Sequence, residues 1–135
     1  MNKICYILKG TSSSGKSTLA TELKGESGIV CCADDYFTDE HGQYHFNASH
    51  LGNAHGQCQM KFLSAINSQL SPIIVANTNT KQEDWNFYAV EAQKAGYMVF
   101  HLIVEKRHNN TNTHNIPQSV LKNQVANIKN NLKLS

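Results

Sequence analysis

The sequence predicts an α/β fold built on a parallel β-sheet, and three observations carry that prediction. Four short β-rich apolar runs recur along the 135 residues. A helix-period stretch separates each run from the next, the pattern of repeated βαβ units. The runs are nearly continuous in apolar residues rather than alternating, as strands buried on both faces are. Together these imply a three-layer sandwich with helices on both faces of a four-stranded sheet, and the length suits one domain over residues 1–135. Right-handed crossovers then place the C-terminal ends of all strands on one edge, where ligands bind in such sheets.

Residues 3–9 (KICYILK) read as a central strand. Lys16–Lys24 reads as a helix with Leu19 and Leu23 one turn apart, stopped by Gly25. Residues 29–33 form a second strand, with Asp34 and Asp35 at its end. Residues 38–46 are a polar connection carrying Tyr44 and Phe46. Asn47 is placed to cap a long helix reaching Leu70, with an apolar face of Leu51, Ala54, Cys58, Phe62, Ala65, Ile66 and Leu70. On that face His55 is expected to be buried and bonded to backbone, with a substrate contact as the alternative. Residues 73–76 are a third strand, and Thr80 with Glu83 fits a capping box. The helix it opens turns Trp85, Tyr88, Ala89 and Ala92 to one side and stops at Gly96. Residues 97–104 are a fourth strand, 105–116 a polar lid-like loop, and Pro117 begins a last helix to Leu132.

One motif carries chemistry at once. Gly10, Thr11, Ser12, Ser13, Ser14, Gly15, Lys16 and Ser17 match G-x-x-x-x-G-K-[ST], the Walker A phosphate loop, with a strand before and a helix after. Small residues let successive backbone N–H groups turn inward on phosphate oxygens, and the helix N-terminus adds its partial positive charge. The expected cofactors are ATP and Mg²⁺. Residues 10–18, through Thr18, bind the nucleotide, Lys16 reaches its β- and γ-phosphates, and the Ser17 hydroxyl ligates the metal. ATPases, GTPases and kinases all share this loop, but no N-K-x-D guanine motif is present.

Asp34 follows about 20 residues past the loop. It reads as a general base for an acceptor hydroxyl, with a water-mediated Mg²⁺ role and a plain strand-end turn left as alternatives. Alternation sends Asp35 elsewhere, to brace the following turn, and it is also a candidate substrate contact. Tyr36 and Phe37 are either core residues or candidates to stack an acceptor base, and Asn77 and Asn79 either touch the acceptor or brace the loop.

The ordered set GTSSSGKST, CADDYF, HGQYHFN, LGNAHGQC and IIVANTNT resembles the phage-type polynucleotide 5′-kinase clan. Within it the set looks most like the Nedd-four-binding-protein-two-like ATP-binding proteins. The resemblance runs from about Ile4 to Val125. It implies a P-loop NTPase-type sandwich with strand order 2-3-1-4 and a lid. It also implies Asp34 as base and transfer of the ATP γ-phosphate to a 5′-hydroxyl of a polynucleotide or nucleoside-like acceptor. The sequence departs from the clan in the phosphate loop, where Ser12 and Ser13 replace Pro-Gly, and at four further places: Phe37 and Thr111 stand where arginines occur, and Ala76 and Asn77 where acids occur. Arg107 is the one arginine of the chain, and it becomes the candidate to stabilise the transferred phosphoryl. The triple serine also resembles chloramphenicol-phosphotransferase-like kinases of small molecules. The thin arginine complement keeps a non-catalytic ATP-binding module as a third reading.

Composition narrows the classes. A net charge of +2 does not suit a protein that coats long nucleic acid. No apolar run reaches the roughly 20 residues a membrane span needs, and the first residues show no signal cleavage site, so a cytoplasmic protein without membrane partners is expected. Cys31 and Cys32 fall on opposite faces of a strand, which makes them poor joint metal ligands. All four cysteines are expected as reduced thiols.

Overall fold

The structure is a computed structural model and describes residues 2–11 and 15–105. Four strands, β1 (Ile4–Lys9), β2 (Ile29–Cys31), β3 (Ile73–Val75) and β4 (Met98–Ile103), alternate with three helices. The helices are α1 (Lys16–Lys24), α2 (Leu51–Asn67) and α3 (Gln82–Lys94). Two 3-10 turns, Ala33–Phe37 and Ala48–His50, lie between β2 and α2. All pairings are parallel and the order is β2-β3-β1-β4, the expected 2-3-1-4. The last helix and the lid beyond Glu105 lie outside the described residues.

Helices cover both faces, as the buried strand pattern requires. On one face Cys5 and Ile7 of β1 pack with Ala54, Cys58 and Phe62 of α2 and Tyr88 of α3. On the other, Leu8 and Ile74 meet Ala20 of α1, with Leu19 and Leu23 beside it. Cys31 joins the first cluster and Cys32 the second, the opposite facing that strand alternation demands. All four cysteines are free thiols, and burial pushes Cys5, Cys31 and Cys32 up to about 12, so they stay protonated. At the far edge from the phosphate loop, Gly28 is obligatory. A Cβ there would meet the carbonyl oxygens of Lys24 and Pro72 at 2.6 Å each, where α1 hands over to β2.

Several element ends differ from the sequence expectation, each for a local reason. β2 stops at Cys31 because the N–H of Ala33 goes to the Asn77 side chain (2.7 Å) instead of a β3 carbonyl. Asn47 does cap the next segment, its Oδ1 accepting from Ser49 N at 3.0 Å, but the first turn is 3-10. α2 ends at Asn67, short of Leu70: Gln69 takes a left-handed φ of 56° and Leu70 N bonds back to Ala65 O at 3.0 Å. Leu51 is exposed, and so is His55, which corrects the expectation of a buried histidine; the inward positions of α2 are Ala54, Cys58, Phe62 and Ala65. The capping box moves one residue along: Asp84 Oδ2, not Glu83, accepts from Lys81 N at 3.0 Å, while Thr80 is buried. β4 reads as a strand buried on both faces, but it is an edge strand, as the 2-3-1-4 order requires, with Met98, Phe100 and Ile103 exposed.

Phe62 is fully buried and its ring meets Tyr88 edge-on at 5.0 Å. Phe62→Ala should lower unfolding free energy by about 3–5 kcal/mol, read from urea denaturation.

Candidate phosphoryl-transfer site

The site forms at the C-terminal edge of the sheet, where β1 and β2 release the chain with β3 between them. β1 leads into Gly10 and Thr11. Ser12, Ser13 and Ser14 lie outside the described residues, and the description resumes at Gly15. Gly15 takes φ 98°, a left-handed conformation that favours glycine, and opens α1. Lys16, the first residue of α1, is buried. Its ammonium donates to the carbonyl oxygens of Gly10 (3.0 Å) and Thr11 (2.6 Å). Burial draws its pKa down to about 8, with the charge of Asp34 acting the other way. Asp34 is thus within electrostatic reach of this cation.

These features fit a polyphosphate. α1 has no side-chain cap at Gly15 and no acid in its first turn, so among the described residues no side chain takes up its leading N–H groups. A desolvated ammonium held only by carbonyl oxygens gains from an incoming anion. Ser17 and Thr18 are exposed at the same helix start, with hydroxyls of the hard-oxygen kind that Mg²⁺ accepts. No cluster of three His, Cys, Asp or Glu suited to a metal exists among the described residues.

The acidic pair leaves β2 in the Ala33–Phe37 turn, closed by Asp35 N to Cys32 O (3.2 Å) and Thr38 Oγ1 to Asp34 O (3.2 Å). The two carboxylates diverge. Asp34 is half-buried and accepts from Tyr44 Oη at 3.2 Å. Asp35 is exposed and faces Lys61 of α2 at 3.8 Å; burial raises its pKa, and Lys61 opposes that. Tyr36 is exposed and bonds His50 Nδ1 at 3.1 Å, whereas Phe37 is buried against Tyr36, Tyr44 and Phe46. An open cavity of about 390 Å³ lies between Tyr36, Thr38, His45 and the Asn47–His50 turn.

Residues 77–79 tie the two halves of the site together. Asn77 Oδ1 accepts from Ala33 N (2.7 Å), the residue before Asp34, and its Nδ2 contacts Cys58 Sγ at 3.6 Å. Thr78 O accepts from Gly10 N at 3.1 Å. Asn79 Nδ2 donates to Leu8 O at 2.7 Å and to Asn77 O at 3.3 Å. Asn79 sits at a positive φ of 51°, which asparagine tolerates better than most residues. Both side chains are buried and both contact protein backbone. Among the described residues, the buried Oδ1 of Asn79 has no donor.

Sequence reasoning brought Gly10, Thr11, Gly15, Lys16, Ser17, Thr18, Asp34, Asp35, Tyr36, Phe37, Asn77 and Asn79 to this one edge, and Arg107 lies outside the described residues. What it missed is the hydrogen bond from Tyr44 to Asp34. Its only sequence trace is the Asp39–Gly42 turn that folds the chain back.

A four-stranded parallel sheet in this order, with the phosphate loop leaving β1, is a P-loop kinase-type fold. No family model matches the sequence. Over 98 residues the chain is 38% identical to NEDD4-binding protein 2 of Homo sapiens, covering 71% of this chain and 6% of the human protein. A chain of the Pnkp1/Rnl/Hen1 RNA repair complex matches in fold with a TM-score of 0.70 at 15% identity, covering 99% of this chain and 47% of that one. APS kinase CysC of Mycobacterium tuberculosis matches at a TM-score of 0.53 and 15% identity, covering 95% and 98% of the two chains. The chain therefore corresponds to a small part of the human relative and to under half of the repair-complex chain.

The lowered pKa of Lys16 gives a signed prediction. Phosphates favour the ammonium, which the free protein loses as pH rises through about 8. ATP affinity should fall about tenfold between pH 7 and pH 9, and binding at pH 8.5 should take up a proton. Calorimetry in buffers of different ionisation enthalpy measures both, and Lys16→Arg should flatten the profile.

Proposed function

We propose that this chain is an ATP-dependent phosphotransferase that moves the γ-phosphoryl group to a 5′-hydroxyl of a polynucleotide or nucleoside-like acceptor. The single observation that carries this reading is the pairing across the sheet edge: an oriented carboxylate at Asp34 within electrostatic reach of the buried Lys16. A nucleotide-binding module needs the cation and the loop. It does not need a carboxylate within electrostatic reach of them. The likeness to a chain of an RNA repair complex and to an APS kinase supports transfer to an acceptor hydroxyl.

In this reading residues 10–18 cradle the triphosphate, Lys16 leaves its two carbonyl partners for phosphate oxygens, and Ser17 holds Mg²⁺. Bound ATP–Mg²⁺ supplies the transferable phosphoryl group and part of the charge neutralisation. Asp34 orients the acceptor hydroxyl and takes its proton as the new O–P bond forms and the bond to the ADP oxygen breaks. Arg107 is the proposed second cation on the transferred group. Asp35 and Tyr36 border the acceptor side, and Asn77 and Asn79 hold the two halves at a fixed separation.

The test uses γ-labelled ATP with a 5′-hydroxyl oligonucleotide and, in parallel, a panel of free nucleosides. Transfer is expected to the oligonucleotide and to weaken with salt. Transfer confined to small molecules would replace the acceptor class, and ATP binding with no transfer would leave only a binding module. Asp34→Asn should keep ATP affinity within about twofold and reduce transfer at least a hundredfold, within the range for a lost general base.

A further inference from the structure

We propose that Tyr44 is a positioning residue for phosphoryl transfer: its phenol fixes one oxygen of the Asp34 carboxylate and leaves the other directed to the acceptor hydroxyl. The inference rests on the reading of Asp34 as base. It adds a residue outside both the phosphate loop and the acidic pair.

The argument begins with the turn that delivers Tyr44. Asp39 Oδ1 accepts from the backbone N–H groups of His41 and Gln43, each at 2.9 Å. Asp39 N donates to Gln43 O at 2.9 Å and Gly42 N to Asp39 O at 3.0 Å. His45 Nε2 adds a contact to Asp39 Oδ2 at 2.9 Å. The carboxylate of Asp39 thus closes a tight reversal, and these hydrogen bonds, the backbone ones first, hold its pKa below the usual range. Past the reversal the chain returns antiparallel: Thr38 bridges Tyr44, and His45 N donates to Phe37 O at 2.8 Å.

The returning segment is extended, so neighbouring side chains take opposite sides. His45 goes to the Asp39 side, and Tyr44 goes inward. The Tyr44 ring meets Phe37 edge-on (6.2 Å, 77°) and stacks against Phe46 (6.4 Å, 21°). Phe37 belongs to the turn that carries Asp34, so the ring and the carboxylate are set by the same local packing. Burial and the neighbouring Asp34 charge both raise the Tyr44 pKa, so the phenol keeps its proton and acts as donor.

A carboxylate rotates about a broad terminal torsion, and an unheld base spends much of its time misaligned. The Tyr44 O–H occupies Asp34 Oδ1 at 3.2 Å, while Oδ2 has no hydrogen bond among the described residues. One oxygen anchored and one open is the arrangement that a proton acceptor in a positioned pair requires. The backbone of the same residue is held independently, by Thr38 Oγ1 on Asp34 O and by Asn77 on the preceding N–H. Tyr44 is therefore the contact that sets the carboxylate plane.

The decisive variant is Tyr44→Phe, which keeps the ring packing and removes only the donor. In the nucleotide-free protein, the carboxyl ¹³C resonance of Asp34 should move in Tyr44→Phe, and the Tyr44 Cζ resonance should move in Asp34→Asn. If neither moves, the proposal is overturned whatever the activity. In transfer assays with γ-labelled ATP, Tyr44→Phe should lower kcat about tenfold with KM for ATP unchanged. In the Asp34→Asn background it should cause no further loss. An unchanged kcat overturns the proposal. So does a rise in KM for ATP that accompanies a lower melting temperature, since that marks a purely structural role. A wild-type protein that transfers to no acceptor, with the reciprocal resonance shifts present, overturns the proposed function and the catalytic use of Tyr44 while leaving the contact established.

Discussion

The site depends on how the chain leaves β3. Residues 77–79 occupy the space between the phosphate loop and the acidic turn, and their polar groups reach both ways. One asparagine holds the backbone next to Asp34, the other holds the end of β1, and the carbonyl between them takes the N–H of Gly10. In a parallel sheet of order β2-β3-β1-β4 the strands leading to Asp34 and to Gly10 are not neighbours, so β3 sets their separation. Buried amides suit this task because each offers a donor and an acceptor of fixed geometry. Their burial also makes an unmade bond costly, which keeps the spacing from drifting.

The chemical character of the edge follows from what each side chain is packed against. Lys16 is held out of water by the loop it serves, so its charge is weakly solvated before any ligand arrives. Phe37 of the acid turn packs against Tyr44 and Phe46, and the Tyr44 hydroxyl occupies one oxygen of Asp34. Asp35, one residue on, points at Lys61 and solvent instead. A 3-10 turn accounts for this divergence, because successive side chains in it project about a third of a turn apart. The same turn leaves a single carboxylate, not a pair, on the Tyr44 side of the edge.

The clan resemblance and the residues agree on the outline of the chain, and the structure adds how this version is braced. The positions where the clan carries acids at the end of the third strand are used here for packing and for a neutral amide. An asparagine at position 77 can accept an N–H from the acid turn and donate at the same time, which an ionised aspartate cannot. Phe37, standing where an arginine occurs in the clan, is committed to the core and carries the ring cluster that supports Tyr44. On the α3 side, Lys9 lies over the Trp85 ring at 4.0 Å and His101 meets the same ring, so the end of β1 is closed by packing next to the cradle.

The sequence alone determined the class of fold, the cradle and the acid that follows β2. Each of these is a local pattern: continuous apolar runs, helical periods, and a glycine-lysine-serine motif between them. Element ends were legible only where a local cap decides them, as at Asn47, and were displaced where a distant group competes. Asn77 draws Ala33 out of β2, and Asn79 turns Thr80 inward and shifts the next cap to Lys81. Tertiary structure alone decided that β4 leaves Met98, Phe100 and Ile103 exposed, that His55 faces outward, and that Tyr44 reaches Asp34. Strand order, helix rotation and side-chain reach depend on which surfaces meet across the fold, and that information is spread over residues far apart in the chain.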